Sequence, residues 1–264
     1  MDKILLFIPM YNCEKQIIRV LTQINDDVMQ YFSEILIVNN RSTDKSEEVV
    51  IDYIKNNTNL PIKLIRNDGN YGLGGSHKVA FQYAIDNNFN YITVLHGDDQ
   101  AEIKDIIPYL KDNEHQKCDC LLGARFMIGS KLKGYSKFRT FGNYVFNFLF
   151  TLGLGTNIYD LDAGLNIFKT DSVRNKFYIK FKDNLVFGYC LKMGLVYHNQ
   201  KIKFFPILWK EEDQVSSVKL VNQAVTVLLS LLFFILDRDK FMKQEHRDKI
   251  IDNYTYQTIF PTNN

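Results

Sequence analysis

Through its first hundred residues the chain alternates four short runs of branched and aromatic residues, Ile4–Ile8, Ile35–Val38, Ile62–Ile65 and Tyr91–Leu95, with helix-like segments. Continuous apolar runs of this length suit strands buried on both faces. Their alternation with helices predicts a mostly parallel sheet flanked by helices. Between the first two runs, Ile17, Leu21, Ile24 and Val28 recur at helical spacing and form one apolar stripe. A second helix is expected to start at Asp44, with Glu47 three residues on as its capping-box partner. The second half is less regular. It offers a basic loop from Arg125 to Arg139, an aromatic-rich helix from Phe138 to Leu154, a strand at Leu165–Phe168, and helices near Leu185–Met193 and Ser217–Leu236.

Sheets of this kind bind ligands in the crevice outside the carboxyl ends of their strands. The loops that follow the four runs are the least ordinary parts of the sequence: Pro9-Met10-Tyr11-Asn12, Asn39-Asn40-Arg41-Ser42, Asn67 through Gly75, and His96-Gly97-Asp98-Asp99-Gln100. Two carboxylates at the end of a buried strand are costly without a cation or solvent, and a divalent metal would resolve the cost. Oxygen ligands of this kind suit Mg²⁺ shared with substrate phosphates, and a histidine shifts the preference toward Mn²⁺. A solvated turn or a helix cap near Glu102 is the plain alternative. The glycines Gly72, Gly74 and Gly75 before a helix would let backbone N–H groups approach a phosphate, or simply make a turn. They match neither the dinucleotide fingerprint nor the P-loop, which argues against a nicotinamide dehydrogenase or an ATPase.

Composition narrows the class further. Lys and Arg total 32 against 30 Asp and Glu, a net charge of +2 that gives no electrostatic footprint for nucleic acid. The four cysteines lack zinc-knuckle spacing and are expected reduced, as in the cytosol. The apolar run Ile4–Ile8 is too short for a signal peptide, and Ala224–Leu236 too short to span a bilayer.

Taken together, the four loops resemble those of glycosyltransferase family 2, in particular its dolichyl-phosphate mannose synthase-like branch, from residue 4 to about 220. Ile8-Pro9-Met10-Tyr11-Asn12-Cys13-Glu14 is similar to the family's opening segment, Val38 to Asp44 to its nucleotide loop, Gly72 to Ser76 to its glycine turn, and His96 to Gln100 to its DxD-x-Gln motif. The resemblance implies a GT-A-type α/β fold, with a transferase domain over 1–220 and C-terminal amphipathic helices and tail over 221–264. It implies an inverting transfer of a sugar from a UDP- or GDP-linked donor to a polyprenyl phosphate or a cell-surface glycan, with Mn²⁺ or Mg²⁺ as cofactor. Pro9, Tyr11, Asn12 and Glu14 would hold the base, and Asn40 and Ser42 would lie beside base or ribose. Gly72, Gly74 and Asp99 would belong to the donor site. Asp98 and Gln100 would hold metal and diphosphate, with His96 either a ligand or a neighbour of one. Arg125, Arg139 and Lys219 would supply positive charge, and Asp160 or Asp162 would act as base or orient those cations. Two departures lose a negative charge: the family usually has aspartate at the positions of Asn40 and His96. A noncatalytic nucleotide-sugar binder and a nucleotidyltransferase are the rival readings.

Two further stripes bear on location. Phe138, Phe141, Tyr144, Val145, Phe148 and Leu152 form one, and Val225, Leu228, Leu229, Leu232, Phe233 and Leu236 the other. Both fit core helices. Flanked by Lys131, Lys133, Lys137, Arg139, Arg238, Lys240 and Lys243, they also fit helices lying on anionic lipid, at the inner face of the cell membrane.

Overall fold

The computed structural model describes residues 2–213 and 220–261, so Lys219 lies outside the described residues. Strands β1 (Ile4–Met10), β2 (Glu34–Asn39), β3 (Ile62–Asn67) and β4 (Tyr91–Leu95) fall on the four apolar runs. They are followed by β5 (Cys120–Ala124), β6 (Lys131–Lys133), β7 (Leu165–Lys169), β8 (Ile202–Pro206), β9 (Leu208–Lys210) and β10 (Tyr256–Phe260). Eight of them form one sheet in the order β10-β3-β2-β1-β4-β7-β5-β8, while β6 and β9 pair separately. The first four strands run parallel to one another. Two reversals make the sheet mixed: β7 enters antiparallel between β4 and β5, and β10 adds antiparallel to β3.

The first five helices are α1 (Gln16–Thr22), α2 (Asp26–Met29), α3 (Ser46–Asn56), α4 (Gly72–Asp86) and α5 (Ile107–Lys111). The remaining five are α6 (Lys137–Leu154), α7 (Thr170–Val173), α8 (Phe187–Tyr197), α9 (Leu220–Leu236) and α10 (Arg238–Lys243). Successive side chains of a strand point to opposite faces, so Leu5 and Phe7 enter the core layer beneath α4, α8 and α9, while Ile4, Leu6 and Ile8 enter the layer beneath α1 and α3. The sequence stripe Ile17, Leu21, Ile24 and Val28 is buried in this second layer, although the chain breaks between α1 and α2.

The capping box expected at Asp44 does not form. Asp44 accepts instead from the backbone N–H of Ser46 at 3.0 Å and its hydroxyl at 2.6 Å, a local turn that delays the helix to Ser46. Glu47 faces away from the helix start and takes hydrogen bonds from Asn39 at 2.7 Å and Arg66 at 3.0 Å.

The C-terminal segment is built into the same body. Helix α9 buries Val227, Leu231 and Phe234 in the core, and β10 covers the edge of β3. On α4, the buried Lys78 ammonium donates to the Phe181 carbonyl at 2.6 Å, to Asp183 at 2.7 Å and to the Tyr254 hydroxyl at 3.1 Å, joining the tail to that helix and to the 181–183 segment. Of the two readings open for the stripes on α6 and α9, the core reading fails. Those side chains are exposed, except Phe233, which is half-buried against Phe241, and the helices bury their other faces through Asn147, Phe150 and Leu154 on α6 and Val227, Leu231 and Phe234 on α9. The four cysteines are free and buried.

Candidate active site

Strand order turns at β1, with β2 and β3 on one side and β4 on the other, and this is where a crevice must open above the carboxyl ends. A cavity of about 460 Å³ lies there. Pro9, Tyr11 and Asn12 line it from the first loop, Asn40 from the second, Asn70 and Gly72 from the third, and His96, Asp98 and Gln100 from the fourth. The second half contributes Arg125, Arg139, Asp162, Trp209 and Glu211. One end is therefore neutral, an exposed tyrosine beside two asparagine amides, and the other end concentrates charge.

At the neutral end Asn40 is fixed by its surroundings. Its carbonyl accepts from the Tyr71 backbone N–H at 2.8 Å and from Asn67 at 3.0 Å, and its amide donates to Asn70 at 2.8 Å. Because a backbone N–H can only donate, the amide orientation follows without ambiguity. Asn12 and Ser42 tie the first two loops together, since the Asn12 N–H donates to the Ser42 hydroxyl at 3.1 Å and the Asn12 carbonyl accepts from the Thr43 N–H at 2.8 Å. Glu14 does not line the cavity and accepts from the Lys45 N–H at 3.1 Å.

The glycine turn does something other than cradle an anion. The Gly74 and Gly75 N–H groups donate to the Asp183 carbonyl at 2.7 and 3.3 Å, and the Gly72 N–H to Asn70 at 3.1 Å. A Cβ at Gly72, where φ is +71°, would lie 2.4 Å from that carbonyl. The glycines let α4 start hard against the 182–187 segment, so these N–H groups are spent on the fold rather than offered to a phosphate.

At the charged end Asp98 faces the cavity, and burial, opposed by backbone hydrogen bonds at Gln100 and its own N–H, pushes its carboxyl up to about 6. Asp99 turns away in the left-handed region at φ 59° and is held by Arg19 at 2.6 Å and Gln23 at 3.0 Å, outside the cavity lining. The His96 ring stands edge-on to the buried His77 and packs where a Cβ at Gly164 would lie 3.0 Å from Nδ1. Burial, with Arg125 and Lys192 adding to it, lowers His96 to about 4 and keeps it neutral near pH 7.

Arg125 and Asp160 form a buried two-pronged pair, Nε to Oδ2 at 2.7 Å and Nη2 to Oδ1 at 2.8 Å, and the Arg125 N–H adds a third bond at 2.8 Å. Burial raises the Asp160 pKa, but the charge and hydrogen bonds of Arg125 outweigh it and hold the carboxyl below its ordinary range. Asp160 is thus enclosed, while Asp162 lines the cavity, pushed up to about 6 by burial against the pull of Lys192 and Arg125. Lys192, buried on α8, donates to the Leu161 carbonyl at 2.6 Å and completes, with Arg125, Asp160 and Asp162, a cluster of two cations and two carboxylates at the cavity wall. Arg139 reaches the cavity from the first turn of α6 and pairs with Glu211 at 2.6 Å. Trp209 lies beneath the Arg125 guanidinium at 4.8 Å.

The sequence gives Asn70, Trp209 and Glu211 no individual role, and Arg19 and Lys192 are not among the residues expected from it. Lys192 carried a signal, a lone cation between Leu191 and Met193 in an apolar helix. Arg19 carried none, because its partner Asp99 stands 80 positions away.

S. aureus TarS 1-349 superposes with a TM-score of 0.59 at 18% identity, over 91% of this chain and 69% of that one. A mannosyltransferase from Pyrobaculum calidifontis in complex with GDP-Man and Mn²⁺ gives 0.59 at 13% identity, over 89% and 64%. Glucosyl-3-phosphoglycerate synthase from Mycobacterium tuberculosis in complex with UDP gives 0.56 at 12%, over 89% and 80%. The fold is that of the GT-A glycosyltransferases, a mostly parallel mixed sheet flanked by helices. The family model described as glycosyl transferase family 2 matches residues 6–177, and the chain belongs to that family. It is a glycosyltransferase whose structural neighbours include complexes with UDP-GlcNAc, GDP-Man and UDP.

Proposed function

We propose that the chain transfers a sugar, with inversion, from a UDP- or GDP-linked donor held in this cavity to a polyprenyl phosphate or a cell-surface glycan at the inner face of the cell membrane. The observation that carries the reading is the two-ended cavity. Tyr11, Asn12, Pro9 and Asn40 suit a neutral aromatic base and its ribose, and the end holding Asp98, Arg125 and Arg139 suits a diphosphate.

Among the described residues no group of three or more His, Cys, Asp or Glu side chains forms a closed metal cage. The oxygen donors of Asp98 and Gln100 in the cavity fit Mg²⁺ or Mn²⁺, which are often held by one or two carboxylates together with substrate phosphates. Asp98 and Gln100 would hold the ion, with neutral His96 beside them. Bound there, the ion supplies Lewis-acid stabilisation to the departing diphosphate. Arg125, oriented by Asp160, and Arg139, shared with Glu211, add positive charge to the same oxygens. Asp162 accepts the proton of an acceptor hydroxyl, for which a carboxyl near 6 is suited. With an acceptor that is already an anionic phosphate, Asp162 instead orients the cations.

The test is a thermal-shift panel of UDP, GDP, CDP and dTDP, each with and without Mn²⁺, because ligands that bind the folded state raise its melting temperature. The expected result is a metal-dependent rise with UDP or GDP that Asp98→Ala abolishes. Absence of any metal-dependent shift with every nucleotide sinks the reading.

A further inference from the structure

The outer faces of α6 and α9 are apolar and open. On α6 the exposed stripe runs Phe138, Phe141, Val145, Phe148 and Leu152, and on α9 it runs Val225, Leu229, Leu232 and Leu236. Phe138 is 81% exposed and Leu236 75%, while each helix already fills the core with its opposite face. The stripes form one surface. At Gly153 a Cβ would lie 2.8 Å from Ile235 Cδ1 and 3.0 Å from Leu231 Cδ1, so the helices touch near their C-terminal ends. Near their N-terminal ends Arg139 and Gln223 both line the cavity. The helices therefore run in the same direction and carry a continuous apolar face from the cavity mouth outward. Water-exposed monomers rarely leave so many large apolar side chains contiguous.

The charges around this face are mainly basic; at the cavity end Glu211 is paired with Arg139 and Asp213 with Arg19. Exposed Lys131, Lys133 and Lys137 stand at the cavity end, and exposed Arg238 and Lys243 at the far end. No acid occurs between Arg125 and Asp160, and none in α9. The nearest acids at the far end are exposed but hydrogen-bonded, Asp237 accepting from the Lys240 N–H at 2.9 Å and Asp239 from the Tyr197 hydroxyl. Among the described residues no helix is long and apolar enough to cross a membrane. An apolar face with a basic border, on helices that do not span, matches the chemistry of an anionic bilayer surface. A second copy fits less well, since a twofold contact through this face would set lysines against lysines.

We propose that the joined faces of α6 and α9 dock on an anionic lipid bilayer, with both helices flat in the interface and the cavity mouth opening toward the lipid. The acceptor then reaches Arg139 from the membrane, and is lipid-anchored. The docking stands on the surface alone; the lipid-borne acceptor rests on the transfer reading above.

The experiment is flotation of the whole protein with vesicles of phosphatidylcholine alone or mixed with phosphatidylglycerol, at low and high salt. Wild type should float with the anionic vesicles and about tenfold less with neutral ones or at high salt, as screened lysine–lipid attraction requires. Phe141→Glu with Leu229→Glu should abolish flotation while leaving the melting temperature and the nucleotide-induced shift as in wild type, because neither side chain enters the core or the cavity. Wild type that stays at the bottom with anionic vesicles overturns the proposal. So does a dimer that the double variant converts to monomer, which would assign the face to a second copy. Flotation needs no nucleotide, so a failure of donor binding leaves this result standing, and the reverse holds as well.

Discussion

Replacing Asp160 by asparagine tests whether this carboxylate is the buried support of Arg125. Asp160 is 1% exposed and receives three hydrogen bonds from Arg125, and the change would leave that guanidinium buried beside Lys192 with only Asp162 to balance the two cations. Removing one partner of a buried ion pair costs about 3–5 kcal/mol. For a chain of this size each kcal/mol moves the melting temperature by about 2–4 °C, so the loss should be roughly 10 °C. Differential scanning calorimetry reads it directly. The paired change Asp160→Leu with Arg125→Met should recover much of the loss, since both charges leave together and apolar groups replace them. Melting of Asp160→Asn within about 2 °C of wild type would refute the reasoning. Loss of transfer with nucleotide binding intact is expected as well, because Arg125 loses the carboxylate that orients it.

Other outcomes follow from the same geometry. Asp98 and Asp162 both sit near 6, above their ordinary value, so they are charged above that pH and protonate as pH falls through it. Metal-dependent nucleotide binding should therefore weaken below about pH 6, and isothermal titration at pH 7.5 and pH 5.5 checks it. The sign for folding is opposite: burial disfavours the charged form of these two groups, so their protonation between 6 and the ordinary value adds to stability. Gly72→Ala forces a side chain onto the Asp183 carbonyl at a positive φ and should lower the urea midpoint, by at least about 1–3 kcal/mol of backbone strain. Arg19→Ala frees Asp99 but removes only a half-exposed cation, so melting should change by under about 1 kcal/mol while the Mn²⁺-dependent nucleotide shift shrinks.

Local pattern carried the frame. Apolar runs located β1 to β4 because strands buried on both faces leave a composition that no surface segment shares. Strand-end loops located the cavity because the parallel sheet dictates which end opens. What could not be read were partners. Arg125 and Asp160 were both visible as charged residues of interest, yet the sequence gives no sign that each satisfies the other across 35 positions. Asp98 and Asp99 look equivalent in the chain, and a left-handed backbone at Asp99 sends one into the cavity and the other to Arg19. The glycine turn stayed ambiguous in the sequence because glycine serves close packing and anion binding equally well. The stripes on α6 and α9 show the same limit, since periodicity identifies an apolar face without saying what lies against it.

Strand β10 has a consequence for how the molecule comes into being. Its partner β3 ends at Asn67, yet the hydrogen bonds that close this edge wait for residues 256–260. A chain emerging from the ribosome would hold its first parallel strands with one flank unpaired until residues 256–260 were made, a template for mispairing with other nascent chains. The sheet is therefore sealed late, and shortening the tail by ten residues should cost soluble yield before it costs chemistry.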